Sequence, residues 1–186
     1  QDASRKLHFS AKKTMMLAQQ LYEGVDLSGL GADGTVGLIT SMRTDSVRVS
    51  DDAVVAVREH ISKAFGPDYL PEKPNAFKTK SDAQDAHEAI RPTTMQFDPE
   101  TVRSYLTQDQ YSLYRLIWNR FVASQMTPST FDETTVDVTA RAYVFRVKGT
   151  VPKVAGWMAT YGLTPGEPEQ KEPATAGAGG PDAEDD

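Results

Sequence analysis

Between Thr40 and Arg48 the chain gathers two guanidiniums, Arg43 and Arg48, with the hydroxyls of Thr40, Ser41, Thr44 and Ser46 and the carboxylate of Asp45. Arginine offers planar, charge-assisted hydrogen bonds that match phosphate oxygens, so the grouping suits contact with a phosphate. The other reading of the same residues is a surface loop in which Asp45 neutralises one arginine. His87 and Arg91 form a second pair, spaced four apart as neighbours on one helical face are. They would flank a nucleotide phosphate, or His87 would be an ordinary structural residue. Lys12 and Lys13 add two cations near the start of an amphipathic helix, where the ordinary reading is a solvated face.

These groups need rigid support, and the apolar pattern supplies it. Val36 to Ile39 reads as a buried strand running straight into the polar cluster, an arrangement that holds side chains firmly yet leaves them accessible. Residues 1–8 read as a helix. Ser10 then caps a second helix, closed by Gly24, with Met15, Ala18, Leu21 and Tyr22 as its apolar stripe. The two together resemble a helix-turn-helix. Four glycines make 24–35 a loop. Ser50 is expected to cap a helix with Asp51 and Asp52 in its first turn and Val54, Val57, Ile61 and Phe65 on one face. Gly66-Pro67 stops it. Residues 67–82 read as an extended connection, and 82–90 as a helical turn ended by Arg91-Pro92. Asp98-Pro99 starts another helix. Thr107 and Gln110 form a capping box for the strongest one, whose buried side is Leu113, Leu116, Ile117, Phe121 and Met126, with Tyr114 and Trp118 as core. After Thr127-Pro128 the period falls to two. Residues 135–139 and 143–147 read as strands joined through Ala140-Arg-Ala, and Gly156-Trp157 lies in a third, weaker apolar segment.

With no cysteine, disulfides and thiolate zinc sites are excluded, and three histidines without ligand spacing do not argue for a metal. No apolar run approaches the ~18 residues of a membrane span. The first residues lack both an initiator Met and a signal peptide's apolar region, as an excised or truncated segment would. The net charge of −6 lies in the tail. Residues 164–186 carry seven acids (Glu167, Glu169, Glu172, Asp182, Glu184, Asp185, Asp186) and one base, Lys171, leaving 1–163 neutral with nineteen of each sign. Phosphate binding therefore needs a local cluster of cations. The tail's Pro, Gly, Ala and acid suit a disordered segment.

The stretch Gly37-Leu-Ile-Thr-Ser-Met-Arg-Thr-Asp-Ser46 resembles the active-site motif of bacterial type IA DNA topoisomerases, Gly-Leu-Ile-Thr-Tyr-Met-Arg-Thr-Asp-Ser. Ala83-Gln-Asp-Ala-His-Glu-Ala-Ile-Arg-Pro92 is similar to a second signature of that family. Lys12-Lys-Thr-Met-Met16 and Trp118 through Pro128 agree as well, so the resemblance covers roughly residues 1–160. It implies a mainly α fold with a smaller β part. A helix-turn-helix-like domain would occupy 1–126, strands of the family's β-rich arch 127–163, and the disordered acidic tail 164–186.

The resemblance also implies a function, which is relaxation of negatively supercoiled DNA by transient single-strand cleavage through a 5′-phosphotyrosyl intermediate. Position 41 is where the family's nucleophilic tyrosine stands, and this chain has Ser41. Arg43 falls where a guanidinium would stabilise charge developing on the phosphate, with Thr44 and Asp45 orienting it. Lys12, Lys13, Arg48, His87 and Arg91 are the implied DNA contacts. The family's magnesium-binding acids belong to a separate Toprim domain, absent here, so magnesium is expected in the parent enzyme and no cofactor in this chain. Asp45 and Asp85 do not replace that site by spacing. Serine is a poor substitute for tyrosine, because its hydroxyl is far less acidic than a phenol of pKa ~10 and is one ring shorter. The chain alone is therefore expected to be inactive. Its expected partners are single-stranded and negatively supercoiled DNA and the rest of the parent enzyme, as a cytoplasmic, nucleoid-associated monomer without a membrane. Two other readings stay open: a stand-alone single-stranded DNA-binding module without cleavage, and an interaction domain that no longer touches DNA.

Overall fold

The computed structural model describes residues 1–77 and 87–162. Of the expected 82–90 helical turn, residues 82–86 lie outside the described residues and 87–90 are not helical, so His87 and Arg91 do not share a helical face. The whole acidic tail also lies outside the described residues.

Helix α1 (Asp2–Leu7) ends at His8, whose φ of 56° turns the chain into α2 (Ala11–Glu23). Ser10 caps α2 by accepting a hydrogen bond from the Lys13 backbone N–H at 3.2 Å. The buried stripe of α2 is Leu17, Ala18 and Leu21, whereas Met15 and Tyr22 are 48% and 45% exposed. Ala18 and Leu21 belong to either stripe, so spacing does not decide between them. Packing against α5 does.

The glycine-rich stretch after α2 is more than a loop. Strand β1 (Val25–Asp26) pairs antiparallel with β2 (Thr35–Val36), enclosing a 3-10 turn at Ser28–Leu30. The strand expected from Val36 to Ile39 is shorter than its apolar run suggests. Only Val36 belongs to a ladder, and Ile39 forms a single antiparallel bridge with Pro92. Two hydrogen bonds flank the bridge, from Thr40 N–H to the Arg91 carbonyl and from Thr93 N–H to the Leu38 carbonyl. The segment is buried nonetheless, with Leu38 and Ile39 enclosed.

Helix α3 (Asp51–Ala64) buries Val57 and Ile61 and is followed by Gly66 at φ 102°. Asp98 caps the short α4 (Pro99–Val102) through the N–H groups of Glu100 and Thr101. Helix α5 (Gln108–Ser124) carries the capping box: Gln110 N–H donates to Thr107 Oγ1 at 3.3 Å, and Thr107 N–H to Gln110 Oε1 at 2.9 Å. Its Tyr111, Leu113, Tyr114, Trp118, Phe121 and Val122 are buried, with Leu116 and Ile117 packed at the margin. Tyr114 is fully enclosed and donates to the Phe97 carbonyl at 2.6 Å. Burial pushes its hydroxyl well above the ordinary value of 10.0, so it stays a neutral donor. One core of α2, Leu38–Ile39, α3 and α5 results, each fully buried Leu or Ile contributing roughly 1.5–3 kcal/mol.

Gln125, 1% exposed, closes α5 in an unforeseen way. Its side-chain amide exchanges two hydrogen bonds with the Asn75 backbone, at 3.0 and 3.1 Å, while the Asn75 side chain donates to the carbonyls of Ser124 and Met126. The connection after α3 is thereby tied to the core, and both polar atoms of the buried amide have a partner.

Strands β3 (Thr130–Ala140) and β4 (Tyr143–Val154) form a long antiparallel hairpin. Arg141, at φ 53°, supplies the positive φ that a two-residue turn needs. Both strands run well past the expected limits. One face carries Val136, Val138, Tyr143, Phe145, Val147 and Val151, each at least 47% exposed. The other face carries the Asp137–Arg146 and Glu133–Lys148 ion pairs. Gly156–Tyr161 is a 3-10 helix where a third apolar segment followed the strand readings. Gly156 sits at φ 50° with the Pro128 carbonyl so close that a Cβ would meet it at 2.4 Å. A two-stranded ribbon without a core is marginal in water. Amides of residues 131–151 are expected to exchange far faster than those of 113–122 in α5. Native-state hydrogen exchange checks this, and equal protection would refute it.

Candidate nucleic-acid interface

The structure brings the two sequence motifs together. Leu38 N–H donates to the Leu21 carbonyl at 2.8 Å, fixing the first motif to α2. Gly37 is required there, because a Cβ would lie 2.7 Å from the Tyr22 carbonyl oxygen. On the other side Thr93 N–H donates to the Leu38 carbonyl at 3.0 Å, and Thr93 Oγ1 to the Gly37 carbonyl at 2.7 Å. Thr40 completes the seam. Its N–H donates to the Arg91 carbonyl at 2.9 Å, while its hydroxyl donates to the Ala89 carbonyl at 2.8 Å and accepts from Arg91 N–H at 3.0 Å.

The polar loop beyond Thr40 shapes itself. Ser41 Oγ accepts from Arg43 N–H at 3.3 Å, Thr44 Oγ1 from Ser46 N–H at 3.0 Å, and Ser46 Oγ from Arg48 N–H at 3.1 Å. Three successive hydroxyl turns replace regular structure, as Ser and Thr do outside helices and sheets. Met42 and Ser46 are buried and anchor the loop, whereas Ser41, Arg43, Asp45 and Arg48 are exposed. Among the described residues, the Arg43 and Arg48 side chains make no ion pair, so Asp45 does not neutralise either one here.

The other expected contacts divide. Lys12 and His87 are exposed. Lys13 is engaged, 2.7 Å from Asp109 and over the Phe9 ring at 4.3 Å. Arg91 is engaged too, with Glu88, Ser50 and the Pro92 carbonyl as partners. Four residues that hold the site, Thr40, Ser50, Glu88 and Thr93, were not picked out by sequence reasoning as its supports. Thr40 lay inside the first motif, but nothing in its spacing announces a partner about fifty residues away, whereas Glu88 stands three residues from its partner Arg91.

No group of three or more His, Asp or Glu among the described residues is arranged to hold a metal ion. Magnesium, which type IA topoisomerases use in general, therefore finds no matching set of ligands in these residues. Among them no helix is long and apolar enough to cross a membrane.

The site is thus an exposed serine–arginine loop on a helical domain, pinned beside the His-Glu-Ala-Ile-Arg-Pro segment. The family model described as DNA topoisomerase matches residues 1–180. The chain is 50% identical over 163 residues to DNA topoisomerase 1 of two Xylella fastidiosa strains, Temecula1 and 9a5c, covering 87% of this chain and 20% of each relative. Its fold matches full-length topoisomerase I from Thermotoga maritima with a TM-score of 0.72 and 40% identity, over 92% of this chain and 27% of that one. The chain belongs to the bacterial type IA DNA topoisomerase family, a family of DNA isomerases. It spans about a fifth of the length of the curated relatives it matches.

Proposed function

We propose that this chain is the part of a type IA topoisomerase that receives the DNA strand to be cut, with Ser41 at the place of the attacking tyrosine. The observation that carries the reading is the Thr40 seam, which sets the Ser41–Arg43 loop directly against the His87–Pro92 segment. Arg43, Arg48, His87 and Lys12 then serve as contacts for phosphate and nucleotide, with Thr44 and Asp45 shaping the loop around Arg43. In a parent enzyme with tyrosine here, the phenol oxygen would bond phosphorus while the bond from phosphorus to the 3′ oxygen breaks. The strand's 5′ phosphate stays on the protein and the energy of the bond is stored for resealing.

As it stands, the chain binds and does not cut. A serine oxygen falls short of the phenol's position, and a misplacement of even ~1 Å can cost on the order of 10²-fold in rate. The same residue favours a second reading, a module that binds single strands without cleavage. On the first reading, magnesium is held in a Toprim domain elsewhere in the parent. Residues 1–126 form its nucleophile-bearing domain, and 127–163 part of its arch, working as a cytoplasmic, nucleoid-associated monomer.

Titration with a labelled single-stranded oligonucleotide tests the shared claim. Binding is expected at low salt and should fall steeply as salt rises, because released counterions drive it. No protein should remain on the strand in a denaturing gel. Absence of binding at low salt would overturn the reading.

A further inference from the structure

Arg91 has the charge for a phosphate contact but not the freedom. Its side chain is 13% exposed, and all three guanidinium nitrogens have partners. Nε and Nη2 donate to Glu88 Oε2 at 2.9 and 2.6 Å, Nη1 to the Pro92 carbonyl at 2.9 Å, and Nη2 to Ser50 Oγ at 3.3 Å. Ser50, which precedes α3, makes no capping bond with its side chain and meets Arg91 instead.

The backbone around this pair shows what it holds. The loop that bears Ser41 and Arg43 leaves the core at Thr40 and returns at Arg48–Ser50. Thr40 is bonded to Ala89 and to both backbone groups of Arg91. At the other end the Arg48 carbonyl accepts from Ala89 N–H at 2.8 Å, and Ser50 accepts from the Arg91 guanidinium. Both feet of the loop thus stand on the short stretch 88–92, and Arg91 touches each. Moving its guanidinium to a phosphate would open one foot and leave the Glu88 carboxylate, 24% exposed, without its cation.

We propose that Arg91, Glu88 and Thr40 are positioning residues that clamp both feet of the Ser41–Arg43 loop, and that Arg91 takes no DNA phosphate. The proposal rests on the strand-receiving reading above for its DNA consequence only. The clamp itself is a property of the free chain.

The test uses the full 186-residue chain with a single-stranded oligonucleotide over a range of salt, its helix content checked by circular dichroism. Arg91→Lys keeps the charge but loses the fork geometry. It is expected to weaken binding about tenfold, the equivalent of one lost hydrogen-bonded anchor, with a salt slope parallel to that of the unmodified chain. Glu88→Ala should also weaken binding. Arg43→Ala is the contrast: it removes a cation from the strand, so its slope should become shallower by about 0.7. Thr40→Val should act like Glu88→Ala, and Thr40→Ser should restore binding. If Arg91 were a phosphate ligand, Arg91→Lys would bind nearly normally and Glu88→Ala more tightly, and either result overturns the clamp.

A second readout needs no DNA. Exchange of the Thr40 and Ala89 amides should quicken about tenfold in Glu88→Ala while that of α5 is unchanged. Should the unmodified chain fail to bind the oligonucleotide, the strand-receiving reading falls and this exchange experiment alone decides the clamp. Unchanged exchange at Thr40 and Ala89 refutes it.

Discussion

Ser41→Tyr is expected to convert a silent chain into one that takes DNA covalently, once it is joined to the remainder of a type IA topoisomerase and given magnesium and negatively supercoiled DNA. With Ser41 in place the same assembly should give no relaxation and no adduct. The expectation rests on what surrounds position 41. Thr40 is pinned by hydrogen bonds through both its backbone and its hydroxyl, and Met42 is buried, so the backbone at 41 is set by its neighbours rather than by its own side chain. Ser41 is exposed, which leaves a ring somewhere to go. The exchange sacrifices one local bond, Arg43 N–H to Ser41 Oγ at 3.3 Å, long enough to be weak. Phenol, with a pKa of ~10, is also the better leaving group when the strand is resealed. A denaturing gel that detects protein on the 5′ end of a labelled strand gives the answer. An adduct with Ser41 intact would make serine the nucleophile and overturn the assignment of position 41. No adduct with tyrosine would show that the loop no longer presents its nucleophile, which favours the binding module.

The helices were legible because their signals are local. Ser10, Asp98 and the Thr107–Gln110 box each mark a helix start by a side chain bonding a backbone amide two or three residues on. The α5 stripe favoured Tyr114 and Trp118 as core over base-stacking groups, and both are buried. The two motifs could be found as motifs, but their meeting could not. The Ile39–Pro92 bridge and the Thr40 bonds join residues about fifty apart, and no spacing rule reaches that far. The same limit hid the β1–β2 hairpin, since two residues a side show no alternation. The occupation of Arg91 was hidden only in part, since Ser50 lies 41 residues away while Glu88 lies three. A sequence displays a guanidinium's charge, and only the fold shows that Glu88, Ser50 and a carbonyl already share it. Arg43 differs on that point, because the fold leaves its side chain at the surface of a loop whose backbone is fixed.

That contrast carries the second large effect. In the assembly restored by Ser41→Tyr, adding Arg43→Ala is expected to remove most of the recovered rate, on the order of 10²–10³-fold, the usual cost of deleting one donor aimed at developing charge. Binding should fall much less. Arg48, His87 and Lys12 remain exposed on the same chain, and one phosphate contact among several shifts affinity modestly while making its salt dependence shallower. The structure gives the reason for separating the two effects. Arg43 contributes its backbone N–H to the first hydroxyl turn, and alanine retains that N–H, so the loop should keep its path. Only the guanidinium is lost. On the proposed reading its value lies in the transition state, where the phosphate being transferred carries more negative charge at its oxygens than in the resting strand. Single-turnover cleavage of a labelled oligonucleotide, run beside a binding titration, measures both quantities. A rate that falls only in proportion to affinity would mean that Arg43 holds the strand without favouring the reaction. An unchanged rate would remove it from the site altogether and leave Arg48 as the guanidinium to test.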